Sequence, residues 1–331
     1  MPTSMKDLAE IKYFYDSVIN EFHHTVIGYE REIKLVLAGL LAKGHILLEG
    51  VPGIAKTTIA KALAKALNLT EEKSFQRIQC TPDLMPSDIV GTLIYNPKIK
   101  DFRPHFGPVF TNFLLIDEIN RAVPRTQSAL LQAMQEREVT IGDTTYFLKE
   151  PFFVVATQNP IEQEGTYPLP EAQLDRFVMK VKMGYPENLE DEINVLDLHE
   201  RRVGEPVEEF KAILDDSLKI CGMQLAVAEK VTVPPFIKRY TAEIVRYTRV
   251  REEVNWGSSP RAGIFLMKSA KAYAALSGRD IIKLEDMDNV AYAVLNHRII
   301  LKAEKIIEGV QPEDVIRNVL EISRKSVTKT V

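Results

Sequence analysis

The segment of residues 50–58 contains two glycines, a lysine and two threonines in an arrangement that suits phosphate binding. It follows the predicted strand 45–48, an apolar run that ends in Leu48, and precedes a helical pattern, as expected for the strand, loop and helix of the motif G-x-x-x-x-G-K-[ST]. In such loops, backbone N–H groups and the positive end of the helix dipole hold phosphate oxygens. Lys56 is expected to bridge β- and γ-phosphates, and the Thr57 hydroxyl is expected to ligate Mg²⁺. The predicted nucleotide-binding residues of this segment are Gly50, Val51, Pro52, Gly53, Ile54, Ala55, Lys56, Thr57 and Thr58.

One position departs from the motif, because Ala55 precedes the lysine where glycine is usual. A short turn that merely starts a helix is therefore an alternative for this segment. The pair Asp117-Glu118 weakens that alternative, since it ends the apolar run 113–116 about sixty residues further on. Asp117 is predicted to hold Mg²⁺, and Glu118 is predicted to orient and polarise an attacking water. For this pair the alternative is that acidic residues simply end a strand.

Two further polar residues suit contacts with the nucleotide phosphates. Asn159 follows the apolar run 152–156, where its amide is predicted to sense the γ-phosphate or position the water, although an ordinary turn before Pro160 is the alternative. Arg261 opens a helix for which Ser259 suits the N-cap. It is predicted to contact the phosphates from the second domain, and a solvated side chain in the first helical turn is the alternative.

The elements that must position these residues alternate between apolar strands and helical patterns, which favours an α/β fold with a doubly wound parallel sheet. Ligands of such sheets bind beyond the carboxyl ends of the strands. Lys56, Asp117, Glu118 and Asn159 each follow the carboxyl end of a predicted strand, so the topology predicts that they meet. The predicted strands are 45–48, 75–80, 113–116, 152–156 and 177–181.

Two segments depart from this alternation before the pattern changes. Residues 81–111 form a connection too long for a structureless loop, so we expect a helix starting near Pro86, followed by an insertion. Residues 139–147 alternate around Gly142-Asp143, which predicts a β-hairpin. From residue 187 onward the apolar period is helical. We therefore predict a nucleotide-binding α/β core over 1–186 and a smaller all-α domain over 187–331.

Composition is ordinary for a globular protein, with 45% hydrophobic and 27% charged residues among 331. A net charge of −4 gives no global basic field to recruit nucleic acid or an anionic membrane. The two cysteines, Cys80 and Cys221, suggest neither a disulfide framework nor a metal site and fit a reducing compartment. Without a signal peptide or a membrane-length apolar run, the expected location is the cytoplasm.

The chain resembles the MoxR group of AAA+ ATPases over essentially its full length. The motifs that carry this resemblance are Gly-Val-Pro-Gly-Ile-Ala-Lys-Thr (50–57), Gly-Pro-Val-Phe-Thr-Asn (107–112), Asp-Glu-Ile-Asn-Arg-Ala (117–122), Thr-Gln-Asn-Pro (157–160), Glu-Gly-Thr-Tyr-Pro-Leu-Pro-Glu-Ala-Gln-Leu-Asp-Arg-Phe (164–177) and Ser-Pro-Arg-Ala (259–262). Ala55, which stands before the lysine where glycine is usual, resembles the form that this motif commonly takes in the MoxR group. The resemblance implies a P-loop AAA+ core whose segment 81–111 contains the helix-2 insert and whose hairpin 139–147 precedes sensor 1.

The resemblance also implies roles for individual residues. Asn159 corresponds to sensor 1, Arg176 to the arginine finger and Arg261 to sensor 2. Arg121 is the rival for the finger role. The three residues Val26, Ile27 and Gly28 correspond to a segment against the adenine, and a plain helix–helix turn is the alternative for them.

By the same resemblance, the protein is expected to be a Mg²⁺-dependent ATPase that forms a homo-oligomeric, typically hexameric, ring. It would act as a chaperone-like remodeller or assembly factor for a protein client, together with a von Willebrand factor A-domain partner. An alternative is a nucleic-acid motor, since related helix-2-insert ATPases include helicases. The absence of Lys and Arg from residues 139–143 argues against the motor, because a DNA-contacting hairpin is expected to carry cations. A third alternative is a switch or scaffold that binds ATP without useful turnover.

Overall fold

The computed structural model of the protein describes residues 3–69, 74–161, 165–186, 188–200, 204 and 206–328. The helices are α1 (Thr3–Phe22), α2 (Glu30–Leu41), α3 (Lys56–Ala66), α4 (Pro86–Val90), α5 (Pro124–Glu136), α6 (Glu171–Leu174), α7 (Leu189–Glu200), α8 (Lys219–Lys230), α9 (Pro235–Arg249), α10 (Pro260–Leu276), α11 (Leu284–Leu295), α12 (Ala303–Ile307) and α13 (Pro312–Thr328). The strands are β1 (His45–Glu49), β2 (Phe75–Gln79), β3 (Gly91–Asn96), β4 (Asp101–Phe106), β5 (Phe113–Asp117), β6 (Glu138–Ile141), β7 (Thr144–Phe147), β8 (Phe153–Gln158), β9 (Phe177–Lys182), β10 (Val254–Trp256) and β11 (Ile300–Leu301).

Five of these strands form one parallel sheet in the order β2-β5-β8-β1-β9. Strand β5 is buried along its whole length, because helices cover both faces of the sheet. Residue His45 pairs with Phe177 and Glu49 pairs with Lys182, so β1 and β9 run side by side in the same direction. The predicted α/β core with a parallel, doubly wound sheet is therefore confirmed.

Two antiparallel hairpins project from this core. The predicted hairpin is confirmed as β6 and β7, which turn at Gly142 with a φ of +61°. A helix begins at Pro86, as expected. The insertion after it forms a second hairpin, β3 and β4, which the sequence did not predict. The turn of the β6–β7 hairpin approaches the middle of β3, since a Cβ at Gly142 would lie 2.6 Å from a Leu93 methyl carbon.

Residues beyond 187 are mostly helical, as predicted, but they also contain a two-stranded antiparallel sheet of β10 and β11. Helix α10 packs against α2, and α11 packs against β9. One hydrophobic cluster consequently extends from the parallel sheet into the helices beyond residue 187, which we call the helical lid. A domain boundary at residue 186 stays a prediction. Within the described residues, none of the helices has the length and apolarity needed to cross a membrane.

The first residue of β1 is a buried histidine that joins neighbouring elements. The N–H of Val154 donates to Nδ1 of His45 over 3.1 Å, and Nε2 lies 3.0 Å from the carbonyl oxygen of Met134. Nδ1 must be unprotonated to accept this bond, so the ring is neutral with its hydrogen on Nε2. Burial lowers the pKa of His45 to about 4, while the bond to Met134 opposes the shift.

Candidate nucleotide-binding and hydrolysis site

The loop between β1 and α3 has the backbone of a phosphate-binding turn. Gly53 has a φ of +84° and Ala55 a φ of +59°, so the alanine occupies the left-handed region that glycine adopts most easily. A Cβ at Gly50 would lie 2.2 Å from Cδ1 of Ile54 and 2.7 Å from the carbonyl oxygen of Met183. Only glycine therefore fits at position 50 without movement of the surrounding backbone.

Lys56 begins α3 directly after this loop. Its ammonium donates to the carbonyl oxygens of Gly50 and Val51, the latter over 3.0 Å. These bonds keep the charge beside the loop whose N–H groups would receive phosphate oxygens.

Asp117 is the buried carboxylate at the end of β5, with 3% of its surface exposed. The hydroxyl of Thr57 donates to its Oδ1 over 3.0 Å, and the hydroxyl of Thr157 does so over 3.3 Å. Nε of Arg77 donates to its Oδ2 over 2.7 Å. The structure therefore brings together the two predicted Mg²⁺ ligands, Thr57 and Asp117.

This donor set fits Mg²⁺. A hydroxyl and a carboxylate provide hard oxygen ligands, which Mg²⁺ prefers. Across the part of the chain that the structure describes, no group of three or more His, Cys, Asp or Glu residues could form a metal site made of protein ligands alone. Nucleotide-linked Mg²⁺ needs no such cage, because phosphate and water oxygens complete its shell.

Glu118 lies next to Asp117 but has different partners. Its φ of +56° ends the strand, and its N–H donates to the hydroxyl of Thr157 over 2.9 Å. Nε2 of Gln79 donates to Oε2 over 2.8 Å, and Nε of Arg121 lies 3.1 Å from the same oxygen. The carboxylate is thus oriented by groups from β2 and from the turn after β5.

Asn159 is buried just after β8. Its Oδ1 accepts the N–H of Ile161 over 3.2 Å, and its backbone oxygen accepts from Asn120 over 3.3 Å. With Oδ1 held in this way, Nδ2 is the donor that the side chain offers. Asn159 therefore does lie in a turn before Pro160, which was the alternative considered from the sequence. The same turn also places Asn159 on the cavity described below.

A cavity of about 900 Å³ joins these residues, and its volume suits a ligand of nucleotide size. Of the segment predicted to contact the adenine, Val26 and Ile27 line the cavity. Gly28 does not line it, but has a φ of +83° that allows the chain to turn there. The lining residues are Thr25, Val26, Ile27, Tyr29, Pro52, Gly53, Ile54, Ala55, Lys56, Thr57, Thr58, Arg77, Gln79, Asp117, Glu118, Thr157, Asn159, Tyr185, Pro186, Glu192, Val195, Leu196 and Leu198.

Sequence reasoning missed several of these side chains, above all Arg77 and Gln79. Both belong to β2, which pairs with β5 so that Gln79 lies opposite Asp117. The same rule that selected the ends of the other strands would have found Gln79 at the carboxyl end of the predicted strand 75–80. The contribution of α7 through Glu192 and Leu196 has no comparable local signal.

Arg176 and Arg261 lie elsewhere, and neither lines this cavity. Arg176 immediately precedes β9, whose first residue Phe177 pairs with His45 at the amino end of β1. The phosphate loop follows the opposite end of β1, about 15 Å away along five strand residues. Nη1 of Arg261 lies 3.6 Å from the Asp175 carboxylate, so this arginine is beside Arg176 rather than beside its own phosphate loop.

A parallel sheet with a phosphate loop after β1, adjacent carboxyl groups at the end of β5, two places away in the sheet, and a helical lid define a P-loop ATPase of the AAA+ class. The family model described as "ATPase family associated with various cellular activities (AAA)" matches residues 45–179, and that of the "AAA lid domain" matches residues 246–319.

Similarity to individual proteins extends across almost the whole chain. Chaperone MoxR1 of Mycobacterium tuberculosis is 40% identical over 97% of this chain and 84% of its own length. The protein YeaC of Bacillus subtilis is 45% identical over 94% of this chain and 95% of its own. A crystal structure from Cytophaga hutchinsonii has 42% identity and a TM-score of 0.85, with 96% of each chain covered.

The chain therefore belongs to the MoxR family of AAA+ ATPases. The mycobacterial relative is named a chaperone, which indicates a chaperone-like family. This confirms the family resemblance found in the sequence. The likenesses give no support to the nucleic-acid motor considered above.

Proposed function

We propose that the protein hydrolyses ATP to ADP and phosphate with Mg²⁺, as one subunit of a homo-oligomeric ring, and uses the reaction to remodel a protein client. The observation that supports this most directly is the convergence of Thr57, Asp117 and Glu118 on the cavity beside the phosphate loop. A site that only bound nucleotide would need no carboxylate held by two positioning side chains, as Glu118 is.

In this proposal the chain binds the nucleotide through residues 50–58. Lys56 exchanges its bonds to loop carbonyls for the β- and γ-phosphates, while Val26, Ile27 and Gly28 contact the adenine. Thr57 and Asp117 would hold Mg²⁺, which when bound neutralises phosphate charge.

Glu118 is the group that orients and polarises the attacking water, and Asn159 donates to that water or to the γ-phosphate. Gln79 and Arg121 hold the Glu118 carboxylate in place. Because Arg121 pairs with Glu118 of its own chain, we assign the finger role to Arg176 instead.

Arg176 is assigned to the site of the neighbouring subunit. The separation of about 15 Å along β1 places it beyond reach of its own phosphate loop. A head-to-tail contact in a ring brings one end of a subunit to the opposite end of the next. Arg261 would join Arg176 at that contact, because Asp175 holds it on the same side. Its predicted contact with phosphates is therefore proposed between subunits.

A mixing experiment tests this assignment. Arg176→Ala and Glu118→Gln proteins should each bind ATP and show little turnover, the first because a finger contributes about 10³–10⁵ in rate in related reactions. Co-assembled in equal amounts, they should regain activity at about a quarter of the interfaces, those that pair an intact pocket with an intact finger.

Three results would count against parts of the proposal. Full turnover by Glu118→Gln rings would remove Glu118 from the reaction. Turnover that stays at the level of the separate variants after mixing would mean that Arg176 serves no neighbouring site. An active Arg176→Ala ring would return the finger role to Arg121.

The wider context is also proposed. The chaperone name of the mycobacterial relative supports a protein client, and the family resemblance supports a hexameric ring and a von Willebrand factor A-domain partner. The two cysteines, which fit a reducing compartment, support a cytoplasmic location. The change to a helical apolar period at residue 187 supports the division into a core over 1–186 and a lid over 187–331. Affinity capture with a Glu118→Gln ring and ATP should retain the client and partner, whereas a Lys56→Ala ring should release both.

A further inference from the structure

Arg298 is a buried cation of the helical lid, in the turn after α11, and only 3% of its side chain is exposed. Burial lowers its pKa to about 10, and the nearby Asp175 carboxylate opposes the shift. The guanidinium consequently stays protonated at neutral pH. A buried charge of this kind is tolerated only where good hydrogen bonds surround it.

The bonds of Arg298 converge on the residues that flank Arg176. Nε donates to Oδ1 of Asp175 over 2.7 Å, and Nη2 donates to the carbonyl oxygen of Asp175 over 3.1 Å. Nη2 also donates to the carbonyl oxygen of Phe177 over 2.6 Å. The residues immediately before and after Arg176 are therefore both held by one guanidinium.

The remaining contacts fix the guanidinium itself. Nη1 donates to the carbonyl oxygens of Val294 in the lid and of Val178 in β9, the latter over 3.2 Å. The ring of Phe265 lies 4.9 Å from its central carbon, and the same ring lies 5.4 Å from that of Arg261. Arg298 is thus a rigid bridge from the lid to the backbone on either side of Arg176.

We propose that Arg298 is a positioning residue for Arg176, and that it holds residues 175–177 in the conformation that presents the Arg176 guanidinium to the neighbouring subunit. This inference rests on the proposed function, in which Arg176 acts across the subunit contact. It also ties the finger to the lid, so that the lid and the finger of one chain move as a unit.

Arg298→Ala should lower the kcat of the ring by about 10- to 100-fold with little change in the KM for ATP, since a displacement of about 1 Å in a positioned group costs up to 10²-fold. Arg298→Lys should give a smaller loss, because lysine keeps the charge but lacks the planar fork that grips several acceptors at once. Both proteins should bind ATP normally, because Arg298 does not line the nucleotide cavity.

Arg279→Ala is the matched control. Arg279 is also a lid arginine, and its Nη1 donates over 2.6 Å to the buried carboxylate of Asp286. Its partner Asp286 belongs to α11 rather than to residues 175–177. Removing the Arg279 side chain should therefore perturb the lid without the 10- to 100-fold loss of kcat expected for Arg298→Ala. Unfolding temperatures of all variants are measured alongside. If Arg298→Ala proves less stable than Arg279→Ala, Arg298→Lys replaces it in the mixtures below.

The decisive measurement is the ATPase activity of mixed rings, which shows which second variant restores the activity of an Arg298 variant. If Arg298 acts through Arg176, Arg298→Ala subunits keep an intact pocket and should recover ATPase activity with Glu118→Gln subunits, which provide an intact finger. Mixed with Arg176→Ala subunits they should stay inactive, because both members then lack a working finger.

The opposite pattern, recovery with Arg176→Ala and none with Glu118→Gln, would show that Arg298 serves its own pocket and would overturn the inference. Unchanged kcat in Arg298→Ala, or an equal loss in Arg279→Ala, would overturn it as well. Failure of the reference mixture of Arg176→Ala with Glu118→Gln overturns the proposed function and this inference together. Failure confined to the Arg298 mixtures overturns the inference alone.

Discussion

Replacing His45 by glutamine tests how the buried start of β1 makes the fold sensitive to acid. The histidine has a pKa of about 4 in the folded protein and of about 6.5 when unfolded. Between these values the unfolded chain binds a proton that the folded chain excludes, so the free energy of unfolding falls as the pH is lowered. This stability is complete above the unfolded pKa and is lost progressively as the pH falls to about 4.

The linkage relation gives the size of the effect. From pH 7 to pH 5 the free energy of unfolding should fall by about 2 kcal/mol on account of His45 alone. His45→Gln removes this titration. It should also cost about 1–3 kcal/mol at pH 7, since Val154 N–H or the Met134 carbonyl is left without its present partner.

The assay is urea unfolding followed by circular dichroism at pH 7 and pH 5. Other groups titrate equally in both proteins and cancel in the difference, including the buried His297, whose pKa burial also lowers. His105→Gln, on the exposed strand β4, is the control and should follow the parent protein. If the parent and His45→Gln lose stability in parallel between the two pH values, the linkage argument for His45 is wrong.

Three further predictions concern the nucleotide site. Lys56→Ala should weaken ATP binding by at least tenfold in a fluorescent-nucleotide titration while the urea midpoint stays near that of the parent, and normal binding would exclude the phosphate-loop assignment. Asp117→Asn should raise the Mg²⁺ concentration needed for half-maximal ATPase activity, and an unchanged requirement would remove this residue from the metal site. Gly50→Ala should reduce ATP affinity because its Cβ would meet Ile54 and the Met183 backbone, whereas Gly53→Ala, where nothing lies within 4 Å of a Cβ, should lose affinity only through its φ of +84°. Equal effects at both glycines would contradict the steric explanation.

Much of the α/β core was predictable because a strand that is buried on both faces has a continuous run of apolar residues in the sequence. Residues 46–48 and 113–116 are such runs, and the structure extends each of the predicted strands 45–48 and 113–116 by a single residue. The rule that ligands bind at carboxyl ends of parallel strands then grouped Lys56, Asp117 and Asn159 without any knowledge of distances. The structure places all of them on one cavity.

The parts that were not predicted depend on contacts between distant segments. The N-terminal position of Arg261 on its helix follows from sequence, but its place beside Asp175 depends on how the lid packs on β9. Arg298 reaches a partner 123 residues away, and no local pattern signals such a pair. Strands β3 and β4 were not predicted because their side chains are mostly exposed. Their sequences therefore lack the alternation of apolar and polar residues that marks a half-buried strand.

The placement of Arg176 at one end of β9 and of the phosphate loop at the other end of β1 has a consequence for how cells could set the activity of this protein. If Arg176 acts across the subunit contact, as proposed above, a chain on its own keeps its pocket for the nucleotide, but the arginine that serves this pocket belongs to a neighbouring subunit. Diluting the protein would therefore stop turnover without unfolding a single chain or releasing its nucleotide. The rate per molecule would rise with abundance, so the expression level itself becomes a control on the reaction.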